Sequence, residues 1–187
     1  RPISAYRIGE GERSVVLVGG IHGAFEWNTI ILAQELRSHL ERTPDMVPEG
    51  LRVYVIPNMN PDGLHKLTGG RPPTVELFEG TNRLPGRFNA RGVDLNRNWD
   101  HEWQPVSTVG NVQVNAGAHA FSEPETRAVR DFILNRERPS LVIFYHSAAD
   151  GIWYGGLREG YEPGRRLAEA YSAASGYRVA EADRPLV

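Results

Sequence analysis

Two histidines and a glutamate stand where a metal-dependent reaction can be built: His22, Glu26 and His146. His22 follows the apolar run Ser14-Val-Val-Leu-Val18 across Gly19-Gly20-Ile21. Glu26 lies four residues on, at the start of a helical stretch, and His146 directly follows Leu141-Val-Ile-Phe-Tyr145. Neutral imidazole and carboxylate hold a divalent cation, and three such ligands with an open fourth position make a catalytic zinc site. The open position takes water, whose pKa the cation lowers towards neutrality. A lone histidine after a strand is more often a hydrogen-bonded structural residue. A lone glutamate in a first helical turn usually answers the helix dipole. His39, His65, His101 and His119 take that ordinary reading. What separates His22 and His146 is their joint position at strand ends, where ligands are held stiffly.

A second set of groups lies in Arg87-Phe-Asn-Ala-Arg-Gly-Val-Asp-Leu-Asn-Arg-Asn-Trp-Asp100. Its arginines could form a solvated basic face. Arginine also pairs bidentately with carboxylates, and asparagine adds a directional donor. Asn96 and Arg97 can therefore clamp a terminal carboxylate, and a further guanidinium can stabilise an oxyanion.

These groups need elements to position them. Ser14 to Val18, Leu51 to Ile56 and Leu141 to Tyr145 read as buried strands, because they are short, apolar and β-branched. Ile30, Ala33, Leu36 and Leu40 share one face of a helix expected over 26–42. Asn60-Pro-Asp-Gly63 reads as a turn, and from Leu64 to about Phe121 the low periodicity predicts a long functional loop. Ser122-Glu-Pro-Glu125 reads as a capping box opening a helix to about Arg136. Pro163 to Ser175 predicts a last helix, ended by Gly176. Strands alternating with helices predict an α/β fold: a mixed, largely parallel sheet flanked by helices, in one domain over 1–187. Ligands in such folds bind beyond the carboxyl ends of the strands.

Composition narrows the function classes. A net charge of -2 gives no sign of a nucleic-acid or anionic-membrane partner. The longest apolar runs are too short to span a bilayer as helices. With no cysteine, a metal must sit on His, Asp or Glu. The compartment is left open, with a secreted or periplasmic location favoured.

His22-Gly-Ala-Phe-Glu26, Asn60-Pro-Asp-Gly63, Gly92-Val-Asp-Leu-Asn-Arg-Asn-Trp99, Ser122-Glu-Pro-Glu-Thr126 and His146-Ser147, in this order, resemble the zinc carboxypeptidases of the carboxypeptidase A type. The spacing of the Arg87 segment is similar to the bacterial-type pattern. The His-Glu-His ligand set is the one known for carboxypeptidase A itself. The resemblance implies that His22, Glu26 and His146 bind one Zn2+. It implies that Arg87 polarises the scissile carbonyl, and that Asn96 and Arg97 grip the C-terminal carboxylate of a peptide substrate. Asp94 is implied as an acceptor for a ligand imidazole, fixing its tautomer.

The chain departs from the family pattern at two places. The usual His-x-x-Glu spacing is His-x-x-x-Glu here, so the turn must absorb one residue or the helix start must shift. The arginine often found between those ligands is replaced by Ala24 and Phe25. Family members also carry a general-base glutamate and a substrate-capping tyrosine well downstream of the last metal histidine. Glu159, Glu162, Glu169 and Glu181 do not sit in that context, and Arg1-Pro-Ile-Ser resembles the middle of a family strand. The expectation is a catalytic domain truncated at both ends, with its general base beyond Val187. Positioned acid–base groups contribute about 10²–10⁴-fold, so the chain alone is expected to be weakly active or inactive. Two other readings share part of the pattern: an aspartoacylase-type amidohydrolase acting on acylated amino acids, and an inactive zinc- or peptide-binding module.

Overall fold

The computed structural model describes residues 1–148, 150–155 and 160–180. They pack as two compact units, Arg1–His146 and Ser147–Val187. In the first unit, β1 (Tyr6–Ile8), β2 (Arg13–Val18), β3 (Leu51–Ile56) and β6 (Leu141–Phe144) form one sheet in the order β1-β3-β2-β6. A separate hairpin is made by β4 (Val106–Val109) and β5 (Val112–Asn115). The helices are α1 (Trp27–Arg42), α2 (Pro61–Thr68), the short α3 (Val75–Phe78) and α4 (Pro124–Asp131).

β2 is parallel to β3 on one side and to β6 on the other, while β1 is antiparallel to β3. The sheet is therefore mixed and largely parallel. β2 reads as one continuous apolar run because both its faces are covered. Val16 and Val18 point into a cluster with Tyr54, Ile56, Met59, Leu95 and Val129. Leu17 points the other way, to Ile8, Ala33, Leu40 and Val55. This is the period of two expected of a strand, and it places α1 and α4 against opposite faces.

Register matters most for function. Val18 pairs with Ile56 and with Phe144, so the three parallel strands end level with one another. The segments leaving those ends carry His22, Asn60 and His146 respectively.

Several local expectations differ from what forms. Arg1 to Ala5 lie outside any strand, and pairing starts at Tyr6. Asn60-Pro61-Asp62-Gly63 opens α2 rather than a turn: the Asn60 side chain accepts from Gly63 N at 2.9 Å, with Pro61 in the first turn. The stretch from Leu64 to Phe121 is not structureless either. It holds α3 and the β4–β5 hairpin, whose two-residue connection is Gly110-Asn111. The Ser122-Glu125 capping box does not form. Glu123 is the N-cap of α4, without a side-chain cap. Ser122 Oγ instead donates to Glu123 Oε1, and Asn89 Nδ2 donates to both Glu123 and Glu125. Burial explains the exchange: two carboxylates taken out of water need donors of their own. The helix continues as a π-helical turn over Phe132–Glu137.

The second unit contains α5 (Glu162–Ser175), ended by Gly176 at φ +80°. Ile152 and Val179 form a parallel bridge. Glu162 pairs with Arg165 and Arg166, and Glu169 pairs with Arg165, all on the exposed helix surface. Glu159 and Glu181 lie outside the described residues. Among the described residues, no helix is long and apolar enough to cross a membrane.

Candidate metal centre and its surroundings

His22 and Glu26 are separated by four positions, and the backbone between them absorbs the extra residue. Gly23 takes φ +46°, and Gly23–Glu26 form a 3-10 turn. The α-helix then starts at Trp27, one residue later than expected, with Glu26 as its N-cap residue. A side chain is doubly excluded at Gly23. The left-handed backbone disfavours it, and a Cβ would lie 2.8 Å from Gly86 O. Gly23→Ala is expected to cost about 2 kcal/mol and to weaken metal binding, because the same turn aims both ligands. A urea titration of the variant checks this; unchanged stability would mean that the turn tolerates a side chain.

The turn brings His22 Nδ1 to 2.8 Å from Glu26 Oε1. His146, leaving β6, places its Nδ1 3.1 Å from Glu26 Oε2. Each carboxylate oxygen thus meets one imidazole, and the two rings are 5.1 Å apart. His22 and Glu26 are buried, whereas the His146 side chain is 27% exposed. One face of the group is therefore open to a ligand.

Asp94 sits behind this group. Its Oδ1 is 3.2 Å from His22 Nε2, and its Oδ2 accepts from Arg87 Nε at 2.8 Å. One buried carboxylate therefore touches both a candidate ligand and the candidate oxyanion residue. Asp94 is held in turn by its own backbone, which donates to Asn115 O of the hairpin at 2.9 Å. Arg87 is buried, and Asn60 Nδ2 donates to its carbonyl oxygen at 3.2 Å.

The electrostatics agree with this packing. For Glu26, burial pushes the carboxyl up, but the neighbouring imidazoles of His146 and His22 outweigh it and hold the group at about 2. For Asp94, burial is likewise outweighed by His22 and Arg87, again giving about 2. Burial works against charge on His22, yet Asp94 and Glu26 together raise its pKa above the ordinary value. The cluster thus favours positive charge at its centre, supplied by a proton or by a divalent cation.

The residues fit a zinc ion. One donor atom from each of His22, Glu26 and His146 lies within 4.8 Å of the others. Both ring nitrogens of His22 are buried, at hydrogen-bonding distance from carboxylates, yet neither is aligned into a hydrogen bond. A buried ring nitrogen is costly to leave unmatched, and a cation at Nδ1 would match one of them. With Nε2 against Asp94, Nδ1 is the nitrogen turned to the ligand group.

Asn96 and Arg97 follow Asp94 in a 3-10 turn, Leu95–Arg97. Arg97 Nε donates to Ser107 Oγ at 3.1 Å, and Nη1 donates to Asn96 O at 3.1 Å. Both residues line a cleft of about 160 Å³ together with Trp99, Trp103, Val106 and Ser107. The three residues of the metal group do not line it.

Sequence reasoning missed three supporting residues. Ser107 was hidden in the supposed loop, although Gly110-Asn111 between alternating valines is a hairpin signal. Asn98, fully buried, ties the Asp94 segment to α4. Phe25 lies with its ring 5.3 Å beneath the Arg87 guanidinium. Nothing in local patterning marks the last two.

Comparison with known proteins bears on the same residues. The family model described as zinc carboxypeptidase matches residues 1–181. Zinc carboxypeptidase A 1 of Anopheles gambiae is 36% identical over 74% of this chain and 32% of its own length. Carboxypeptidase B of Astacus astacus is 32% identical over 82% of this chain and 52% of its own length. The chain thus spans about a third to a half of these curated relatives. The crystal structure of carboxypeptidase A from Helicoverpa armigera superposes with a TM-score of 0.63 at 24% identity, over 95% of this chain and 48% of that one. At that identity the superposition speaks to the fold alone. By the family match over nearly its whole length, joined to a strand-end His-Glu-His group, this chain belongs to the zinc carboxypeptidase family.

Proposed function

We propose that this chain forms the metal- and carboxylate-binding part of an enzyme that removes the C-terminal residue of peptides. One zinc ion is held by His22, Glu26 and His146. The observation that carries this reading is the convergence of those side chains within 4.8 Å at the level ends of parallel strands. Zinc bound by such a set activates water as a nucleophile and polarises a carbonyl.

The chain's own residues supply the rest. Asp94 Oδ1 lies 3.2 Å from His22 Nε2, which leaves Nδ1 as the ligand nitrogen. Arg87 Nη2 is buried without a hydrogen-bond partner among the described residues, a donor ready for the oxygen that becomes negative when the carbonyl is attacked. Arg97, its guanidinium plane set by Ser107 and Asn96, pairs with the terminal carboxylate of the substrate. Asn96 adds a directional donor beside it. The general base is assigned to no described residue. The family match favours peptides over the acylated amino acids of an aspartoacylase-type enzyme.

Metal analysis tests the reading. Dialysed wild-type chain is expected to retain one zinc ion, and His146→Ala to retain none. Equal zinc in the two proteins would remove the assignment.

A further inference from the structure

We propose that Phe25 is a positioning residue for Arg87, holding the guanidinium so that its free Nη2 faces the developing oxyanion. This rests on the functional reading above. Arg87 is 3% exposed, and its Nη2 has no hydrogen-bond partner among the described residues. Asp94 engages only Nε, at one edge of the guanidinium. One edge contact fixes one side of the guanidinium and leaves the tilt of its plane to what packs against its face. The Phe25 ring supplies the second constraint, lying 5.3 Å from the centre of the guanidinium. That is within the range at which a cation is attracted to a ring face.

Phe25 is itself fixed. Its ring meets His22 edge-on, with centroids 6.4 Å apart and planes at 87°. Backbone contact brings its turn to the Arg87 loop. A Cβ on Gly86 would lie 2.6 Å from Ala24 Cβ, and one on Gly23 would lie 2.8 Å from Gly86 O. The glycines let the two segments touch, and Phe25 then reaches Arg87. One ring thus contacts both the His22 imidazole and the Arg87 guanidinium.

The test separates the oxyanion contact from substrate binding in general. Zinc-loaded wild type, Phe25→Leu and Phe25→Tyr are titrated with two probes. One is a phosphinic pseudodipeptide, whose tetrahedral anion needs Arg87. The other is a free amino acid, which offers a terminal carboxylate but no acyl carbonyl. Phe25→Leu should bind the phosphinate about tenfold more weakly, with zinc content and free amino acid affinity unchanged. Phe25→Tyr, which keeps the ring face, should behave as wild type. With Arg87→Met already in place, Phe25→Leu should have no further effect on the phosphinate. Wild-type phosphinate affinity in Phe25→Leu, equal weakening of both probes, or an undiminished effect beside Arg87→Met would each overturn the proposal. A wild-type chain that takes up no zinc strikes instead at the functional reading beneath it.

Discussion

Asp94→Asn is expected to weaken zinc binding about 10–100-fold and to lower stability by about 3 kcal/mol. The substitution is nearly isosteric, so the loss comes from charge and acceptor pattern rather than from a cavity. Asp94 is fully buried, and each of its oxygens has a separate task. Oδ1 faces His22 Nε2 and so selects the tautomer with Nδ1 as the ligand atom. An amide can present its NH2 there instead, which turns the preference round. Oδ2 neutralises the buried Arg87, and an amide leaves that guanidinium without a counter-charge. Breaking one side of a buried ion pair costs more than the pair contributes as a whole, because the remaining charge stays out of water. Chelator competition measures the first effect and urea unfolding of the metal-free protein the second. Wild-type zinc affinity in Asp94→Asn would show that His22 is oriented by something else.

Asn98→Ala should lower stability by about 3 kcal/mol, or about 6–12 °C in Tm for a chain of this size. Asn98 ties its own turn to the stretch from Ala116 to Thr126, 18 to 28 positions on. Its Nδ2 lies 2.6 Å from Ala116 O, 3.0 Å from His119 O and 2.9 Å from Ser122 Oγ. Its Oδ1 accepts from Glu123 N at 3.1 Å and from Thr126 Oγ1 at 2.7 Å. Asn98, Glu123 and Thr126 are all buried, so water cannot fully replace these bonds. Alanine would leave the Glu123 N–H without its acceptor and the Thr126 hydroxyl with Glu123 O alone. Thermal melting checks the prediction; a fall of less than about 2 °C, under 1 kcal/mol, would mean that the network re-forms without Asn98. Zinc content should fall far less than in Asp94→Asn, since Asn98 touches none of the ligands.

Much of the frame is legible along the chain. The runs 14–18, 51–56 and 141–145 show themselves as strands because parallel strands covered on both faces must be apolar throughout. The α1 stripe of Ile30, Ala33 and Leu40 shows itself because one helix face is buried. His22, Glu26 and His146 could be singled out because they follow those strands. Local signals misled where burial assigned polar residues to distant partners. Ser122 and Glu125 have the spacing of a capping box, yet Asn89 and Asn98, more than twenty positions away, take their hydrogen bonds. Asn60-Pro-Asp-Gly63 has turn composition, but proline and a capping asparagine also open helices, and α2 is what packs beside the site.

Sequence by itself therefore determined the three parallel strands, α1 and α4, and the kinds of atom offered to a metal, since burial period and ligand chemistry are properties of residue type and spacing. Tertiary structure alone decided that one carboxylate, Asp94, serves both His22 and Arg87, that Ser107 holds Arg97, and that an aromatic ring lies beneath a buried guanidinium. Those contacts join residues from separate elements, and a hydrogen bond or ring contact has direction and range that no linear pattern records. The level strand ends set by register bring such groups within reach of one another.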